Sequence, residues 1–226
     1  MQYEIFGGSL PAVTVYLDKG ESIYTQSGGM SWMTSSMKME TNMKGGLFKG
    51  LARAFSGDSI FMATYSANAP NQSITCASSF PGSIIALDVS NNRYICQKSA
   101  FLCAQPAVEL KVTMPNGLKG GLFGGEGFIM QELSGSGIAF LELDGSIKEV
   151  ELSQGEKLVV DTGNVAVYES RVKYSAEMVK GFANILFGGE GLFVTTLEGP
   201  GKVWLQTMTA TMLASRIIPF ISTKSN

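Results

Sequence analysis

Asp58, Glu126 and Glu190 are acidic residues that recur at an equivalent place along the chain, in Gly57-Asp58, Gly125-Glu126-Gly127 and Gly189-Glu190-Gly191. Three carboxylates brought together by pseudosymmetry could hold a cation or perturb one another's ionisation. Taken singly, an acidic residue beside glycine caps a turn. Glu126 and Glu190 sit in Gly-Gly-Glu-Gly, but no Lys-Ser/Thr ending follows, and no helix pattern, so a phosphate-cradling loop is not indicated.

The chain has no histidine. That removes Ser-His-Asp and Cys-His nucleophilic machinery, histidine-based zinc motifs and the histidine metal site of cupin-like barrels. The commonest general acid–base is therefore missing, and no catalysis is expected. An enzyme working with carboxylates alone is the remaining catalytic reading. Of the three cysteines, Cys96 and Cys103 could suggest metal or redox chemistry. A gap-free comparison of the chain with itself sets them against Tyr24 and Ser31 in one place and Val159 and Ala166 in another, which points to packing. Met30, Met33, Met37, Met39 and Met43 form the other soft cluster. Thioethers suit Cu(I), yet with no cysteine or histidine nearby in sequence they read as an adaptable core or subunit surface. No cofactor and no metal are expected.

Those residues sit in a pattern that repeats. Gly82 to Ser90 aligns without a gap on Gly145 to Ser153 at an offset of 63, and Val15 and Leu17 align on Leu87 and Val89 at an offset of 72. Within this element apolar and polar residues alternate (Val13, Val15, Leu17; Val150, Leu152), the period of a half-buried strand. Gly20, Asn92 and Gly155 follow where a hairpin turn needs a residue tolerant of positive φ. A second landmark comprises Leu47-Phe48, Leu122-Phe123 and Leu186-Phe187, each leading to its Gly-acidic pair. From the first turn to that pair the spacing is 37, 33 and 34 residues. Asn68-Ala69-Pro70, Gly135-Ser136-Gly137 and Gly199-Pro200-Gly201 then open a final strand. The expected organisation is one domain over 1–226, with units of about 3–78, 79–143 and 144–213 and a short tail, 214–226. Each unit is too small to bury its own apolar face and shares a core with its neighbours. Little helix is expected: about two turns near 47–55 and a further stretch from Met212 to Ile217.

Composition agrees with short strands and tight turns. Glycine accounts for 27 of 226 residues, where about 7% is usual, and only 16% are charged against an average of about 25%. A charge-poor surface also suggests that another subunit covers part of it. The net charge of −2 argues against a nucleic-acid partner. Ser59 to Leu87 carries no charge, but Asn68, Pro70, Asn71, Gln72 and Pro81 interrupt it, so a membrane span is not expected. Met1-Gln2-Tyr3-Glu4 lacks the basic segment and apolar run of a signal peptide, and an odd number of cysteines makes no disulfide framework. A cytoplasmic protein is expected.

Pro81 to Leu87, Val159 to Gly163, Phe187 to Leu192 and Gly199 to Thr207 resemble a widespread bacterial family of uncharacterised proteins, related to a eukaryotic mitochondrial biogenesis protein named for altered inheritance of mitochondria. The resemblance runs from about Tyr3 to Leu213. It implies an all-β fold of three short double-stranded β-helix units, similar to the subunit of the tryptophan RNA-binding attenuation protein. In that relative, single-unit subunits close into a ring. A three-unit chain is then expected to imitate the ring as a homotrimer with pseudo-ninefold symmetry. The family has no assigned catalytic residues to carry over, and the attenuation protein's RNA-contacting residues have no counterpart pattern here.

The expectation is therefore a non-catalytic oligomeric binding or scaffold protein whose partner is itself. Leu47, Phe48, Leu122, Phe123, Leu186 and Phe187 are candidates for burial at the subunit interface, and Asp58, Glu126 and Glu190 for a ligand or cation position between units. A small-molecule binder between units is the first alternative. An RNA binder with Lys38, Lys44, Lys49, Lys119 and Lys180 in one stripe is the second.

Overall fold

Alternation of apolar and polar side chains, broken every few residues by glycine, asparagine or proline, favours strands over helices, and strands dominate. The structure, a computed structural model, describes residues 1–26, 28–41, 62–113, 129–178 and 193–221. The segments 42–61, 114–128 and 179–192, with Asp58, Glu126, Glu190 and all three Leu-Phe pairs, lie outside the described residues.

An N-terminal strand, β1 (Gln2–Phe6), precedes three successive sets of six. The first set is β2 (Ala12–Leu17), β3 (Ser22–Gln26), β4 (Trp32–Met33), β5 (Met37–Thr41), β6 (Met62–Ala67) and β7 (Gln72–Ala77). The second is β8 (Gly82–Asp88), β9 (Tyr94–Gln97), β10 (Phe101–Ala104), β11 (Val108–Thr113), β12 (Met130–Gly135) and β13 (Ile138–Asp144). The third is β14 (Ile147–Leu152), β15 (Lys157–Asp161), β16 (Val165–Glu169), β17 (Lys173–Met178), β18 (Phe193–Glu198) and β19 (Gly201–Gln206). A single α-helix among the described residues, α1 (Ala210–Ile217), follows. It covers the Met212–Ile217 stretch expected to be helical and crosses the expected unit boundary at 213. Thr209 caps it, accepting from the Met212 amide at 3.1 Å, while Asp144 accepts from Ala210 at 3.1 Å.

Every set divides its strands in the same way. The first, sixth and third pair antiparallel in that order, as do the second, fifth and fourth. The two half-sheets of one set lie in different sheets. Four sheets result, ordered β1-β2-β7-β4, β5-β6-β3-β10-β13-β8, β11-β12-β9-β16-β19-β14 and β15-β18-β17. The two inner sheets each join a half-sheet from one set to a half-sheet from the next.

The three cores lie between successive sheets. Val13, Val15 and Ile74 of the first sheet meet Ile23, Tyr65 and Phe140 of the second. Tyr24, Ala104 and Leu141 of the second meet Leu110, Leu133 and Trp204 of the third. Ile95, Met130 and Val203 of the third meet Tyr174, Ala176 and Leu197 of the fourth. An inner sheet is thus apolar on both faces, which is why Ile23 and Tyr24, adjacent in sequence, are both fully buried but in different cores. Phe140 packs edge-on against Tyr3 of β1, ring centroids 5.0 Å apart.

The gap-free self-alignment slips by one residue at the second strand. Leu17 and Ile23 share a core six positions apart, as do Leu152 and Leu158, but Val89 and Tyr94 are five apart. The middle turn is one residue shorter. Gly20 and Gly155 adopt positive φ (90° and 75°), whereas Asn92 does not. Because side chains alternate faces, one residue exchanges them. Tyr24, Ile95 and Val159 are consequently equivalent, facing Thr64, Glu132 and Thr196 on the neighbouring strand. By the same strand pairing Cys96 matches Thr25 and Val160, and Cys103 matches Trp32 and Val167.

Replacing Phe140 by alanine empties space between the first two sheets. Urea unfolding is expected to show a loss of about 3–5 kcal/mol; a loss below about 1 kcal/mol would contradict this placement.

Candidate functional site

Two junctions between sets are built alike. At the first, β3 pairs with β10, Tyr24 opposite Ala104 and Thr25 opposite Cys103. At the second, β9 pairs with β16, with Ile95 opposite Tyr168, Cys96 opposite Val167 and Tyr94 opposite Glu169. Each carries an amide latch at the same place: Gln26 Nε2 donates to the Phe101 carbonyl at 3.2 Å and Gln97 Nε2 to the Val165 carbonyl at 2.8 Å. Tyr24 adds a bond across the core to the Val108 carbonyl at 2.9 Å.

Each set also ties its third strand to its sixth by a side chain at one equivalent position. Thr34 Oγ1 accepts from the Ser73 amide at 3.1 Å, Gln105 Oε1 from Ile138 at 2.9 Å and Glu169 Oε2 from Lys202 at 3.1 Å. The residue type differs, but the acceptor role does not. Glu169 is the buried charge among them, and Arg171 Nε neutralises it at 2.7 Å.

A crevice opens beside each junction. One, of about 240 Å³, lies between the Gly20–Ser22 turn and Gln105-Pro106. The other, of about 320 Å³, lies between Asn91, Asn92 and Arg93 and the Glu169-Ser170-Arg171 loop. Both open to solvent and have mixed linings: Met1, Leu17 and Pro106 contribute to the first beside Glu21, Ser22 and Gln105, and polar and charged residues form the second.

At the two ends of the stack the same kinds of strand lack a partner among the described residues. β4 is one of the two outer strands of the first sheet, opposite β1, and β15 one of the two of the last, opposite β17. Val159 is 65% exposed where its counterparts Tyr24 and Ile95 are 0% and 7% exposed. Trp32 is 55% exposed where Cys103 and Val167 are both 0%. β4 spans two residues, while its counterparts β10 and β16 span four and five. Asp161 stands where Gln26 and Gln97 supply the latch, and it accepts from its own Gly163 amide at 3.0 Å.

None of the six Leu-Phe residues, nor Asp58, Glu126 or Glu190, enters this geometry, since all lie outside the described residues. Val159 and Trp32 are what sequence reasoning overlooked. The unbroken apolar run Leu158-Val159-Val160 was the available signal, because a strand that is apolar on both sides expects cover on both. Of the methionines, Met37 is buried and Met30 and Met33 pack against the first core, while Met39 is half exposed.

The thiols are packing groups. Cys76, Cys96 and Cys103 are free and fully buried. Burial pushes the Cys96 thiol up to about 12, and burial together with neighbouring Cys76 holds Cys103 well above the usual thiol range. At pH 8 the Cys96 thiolate is then on the order of one part in 10⁴. A chromogenic disulfide reagent at pH 8 is expected to find no fast-reacting thiol in the native protein and three after denaturation. Rapid labelling before denaturation would contradict the packing role.

No helix among the described residues is long and apolar enough to cross a membrane. Residues 3–208 match the family described as mitochondrial biogenesis AIM24. An uncharacterized protein of Streptococcus pyogenes serotype M6 is 28% identical over 225 residues, covering 96% of this chain and 89% of its own. A crystal structure of a Streptococcus pyogenes protein, solved by a structural genomics consortium, superimposes with a TM-score of 0.78 at 25% identity, over 97% of this chain and 99% of that one.

Proposed function

Because the chain belongs to the mitochondrial biogenesis AIM24 family, we propose that it is a cytoplasmic, non-catalytic binding or scaffold protein that works as a closed homo-oligomer. Its three sets of strands are read as tandem copies of one short double-stranded β-helix unit, and the common pairing order within each set supports that reading. The single observation that carries self-assembly is the contrast between interior and end. Val159 and Trp32 are exposed at positions that the chain buries at every interior junction. A charged or polar residue would be the inexpensive choice for a permanently solvated strand edge. Large apolar side chains there fit a surface that another chain covers. Three chains of three units give the pseudo-ninefold ring that the resemblance implies.

A small-molecule role has support of its own. The two crevices recur at equivalent junctions and each combines a turn with polar side chains of the facing loop, so a ring would repeat the feature around its circumference. Ligand binding would then depend on assembly.

Native mass spectrometry of freshly purified protein, set against the denatured chain mass, tests the reading. A complex at three times the chain mass is expected. Monomer alone at micromolar concentration would overturn it, and mass beyond the protein would identify a bound small molecule.

A further inference from the structure

We infer that β15 of one copy pairs antiparallel with β4 of the next, with Val159 opposite Met33, Val160 opposite Trp32 and Leu158 opposite Thr34. This register rests on the oligomeric reading and adds to it the strands and residues that meet. It follows from the two junctions inside the chain. In each, the second strand of one set lies antiparallel to the third strand of the following set. Tyr24 faces Ala104 at the first and Ile95 faces Tyr168 at the second. Val159 is the third-set counterpart of Tyr24 and Ile95, by its pairing with Thr196. Met33 is the first-set counterpart of Ala104 and Tyr168, because all three face equivalent sixth-strand residues: Ile74, Ala139 and Val203. Neighbouring pairs extend the ladder. Thr25–Cys103 and Cys96–Val167 correspond to Val160–Trp32, and Tyr94–Glu169 corresponds to Leu158–Thr34.

Joining β15 to β4 gives a continuous sheet in the order β17-β18-β15-β4-β7-β2-β1. It has the make-up of the two inner sheets with β1 added, and it satisfies the backbone donors and acceptors of both edges. Val159 then enters the core of the next copy beside Met33, as Tyr24 enters the second core from β3. Trp32 reaches back over the third core of the preceding copy, as Cys103 covers the first and Val167 the second. A second copy is the occupant these edges specify, because the chain itself supplies the complementary strand, in matching register, at its other end. The two edges are not joined within one chain. The amide latch is absent from this seam, since Asp161 replaces glutamine.

V159C and M33C, co-expressed as separate chains and oxidised mildly, test the register. The native thiols are buried and give no background. A reducible disulfide between the two variants is expected, with none when V159C is combined with S36C, three residues further along the chain in the turn between β4 and β5. An oligomer by native mass that links V159C to S36C, or to neither, would overturn the register and leave the oligomeric reading standing. A monomer overturns both. V159K supplies a check that does not depend on a disulfide. Its side chain is exposed in the single chain, so the chain folds, and a buried unpaired charge at the seam is expected to weaken association by at least about 100-fold. Unchanged assembly of V159K would overturn the proposal.

Discussion

Backbone pairing between the second strand of one set and the third strand of the next is the interaction on which this molecule depends. Each set places its two half-sheets in different layers, so no set closes a sheet by itself. The ladders β3–β10 and β9–β16 turn half-sheets of three strands into sheets of six and lock the sets in one order. Removing one would expose rows of unpaired amides and carbonyls and uncover an apolar layer, a double cost in water.

The cores inherit that arrangement. Phe140 belongs by sequence to the second set yet is buried in the core built mainly from the first, and Tyr24 does the converse. Stability is therefore shared among neighbours, and unfolding of one set would strip the next of a wall. Such coupling resembles that of solenoids, in which nearest-neighbour interfaces carry much of the free energy. The conserved acceptor role of Thr34, Gln105 and Glu169 shows how different side chains keep one geometry once the ladder has set the distance.

Much of the strand content was legible because alternation is local. Val13, Val15 and Leu17 declare one face of a strand without reference to any partner. The helix from Ala210 was legible from its apolar stretch, Met212 to Ile217. Two things were not. Periodicity tells which residues share a face but not which sheet receives it, so the division of each set between layers was hidden. Nor could a gap-free alignment register a deletion inside a turn, where residues pack against little; its effect appears only downstream, where Ile95 rather than Cys96 takes the place of Tyr24 and Val159. Carboxylates and Leu-Phe pairs drew attention by chemical type. The strand ends drew none, because exposure is a property of position and Trp32 and Val159 are ordinary residues for a core.

β1 has a further consequence. It lies along β2 and covers an edge that remains outermost in the second and third sets, where β8 and β14 end their sheets among the described residues. β14 carries Lys148, Glu149 and Glu151, charges that discourage a stray strand from docking. β8 carries neither a covering strand nor any charge before Asp88. Protection against unwanted aggregation is thus unevenly distributed: one end of the series is shielded by the chain and another by electrostatics, while the middle edge, seven residues long, has neither among the described residues.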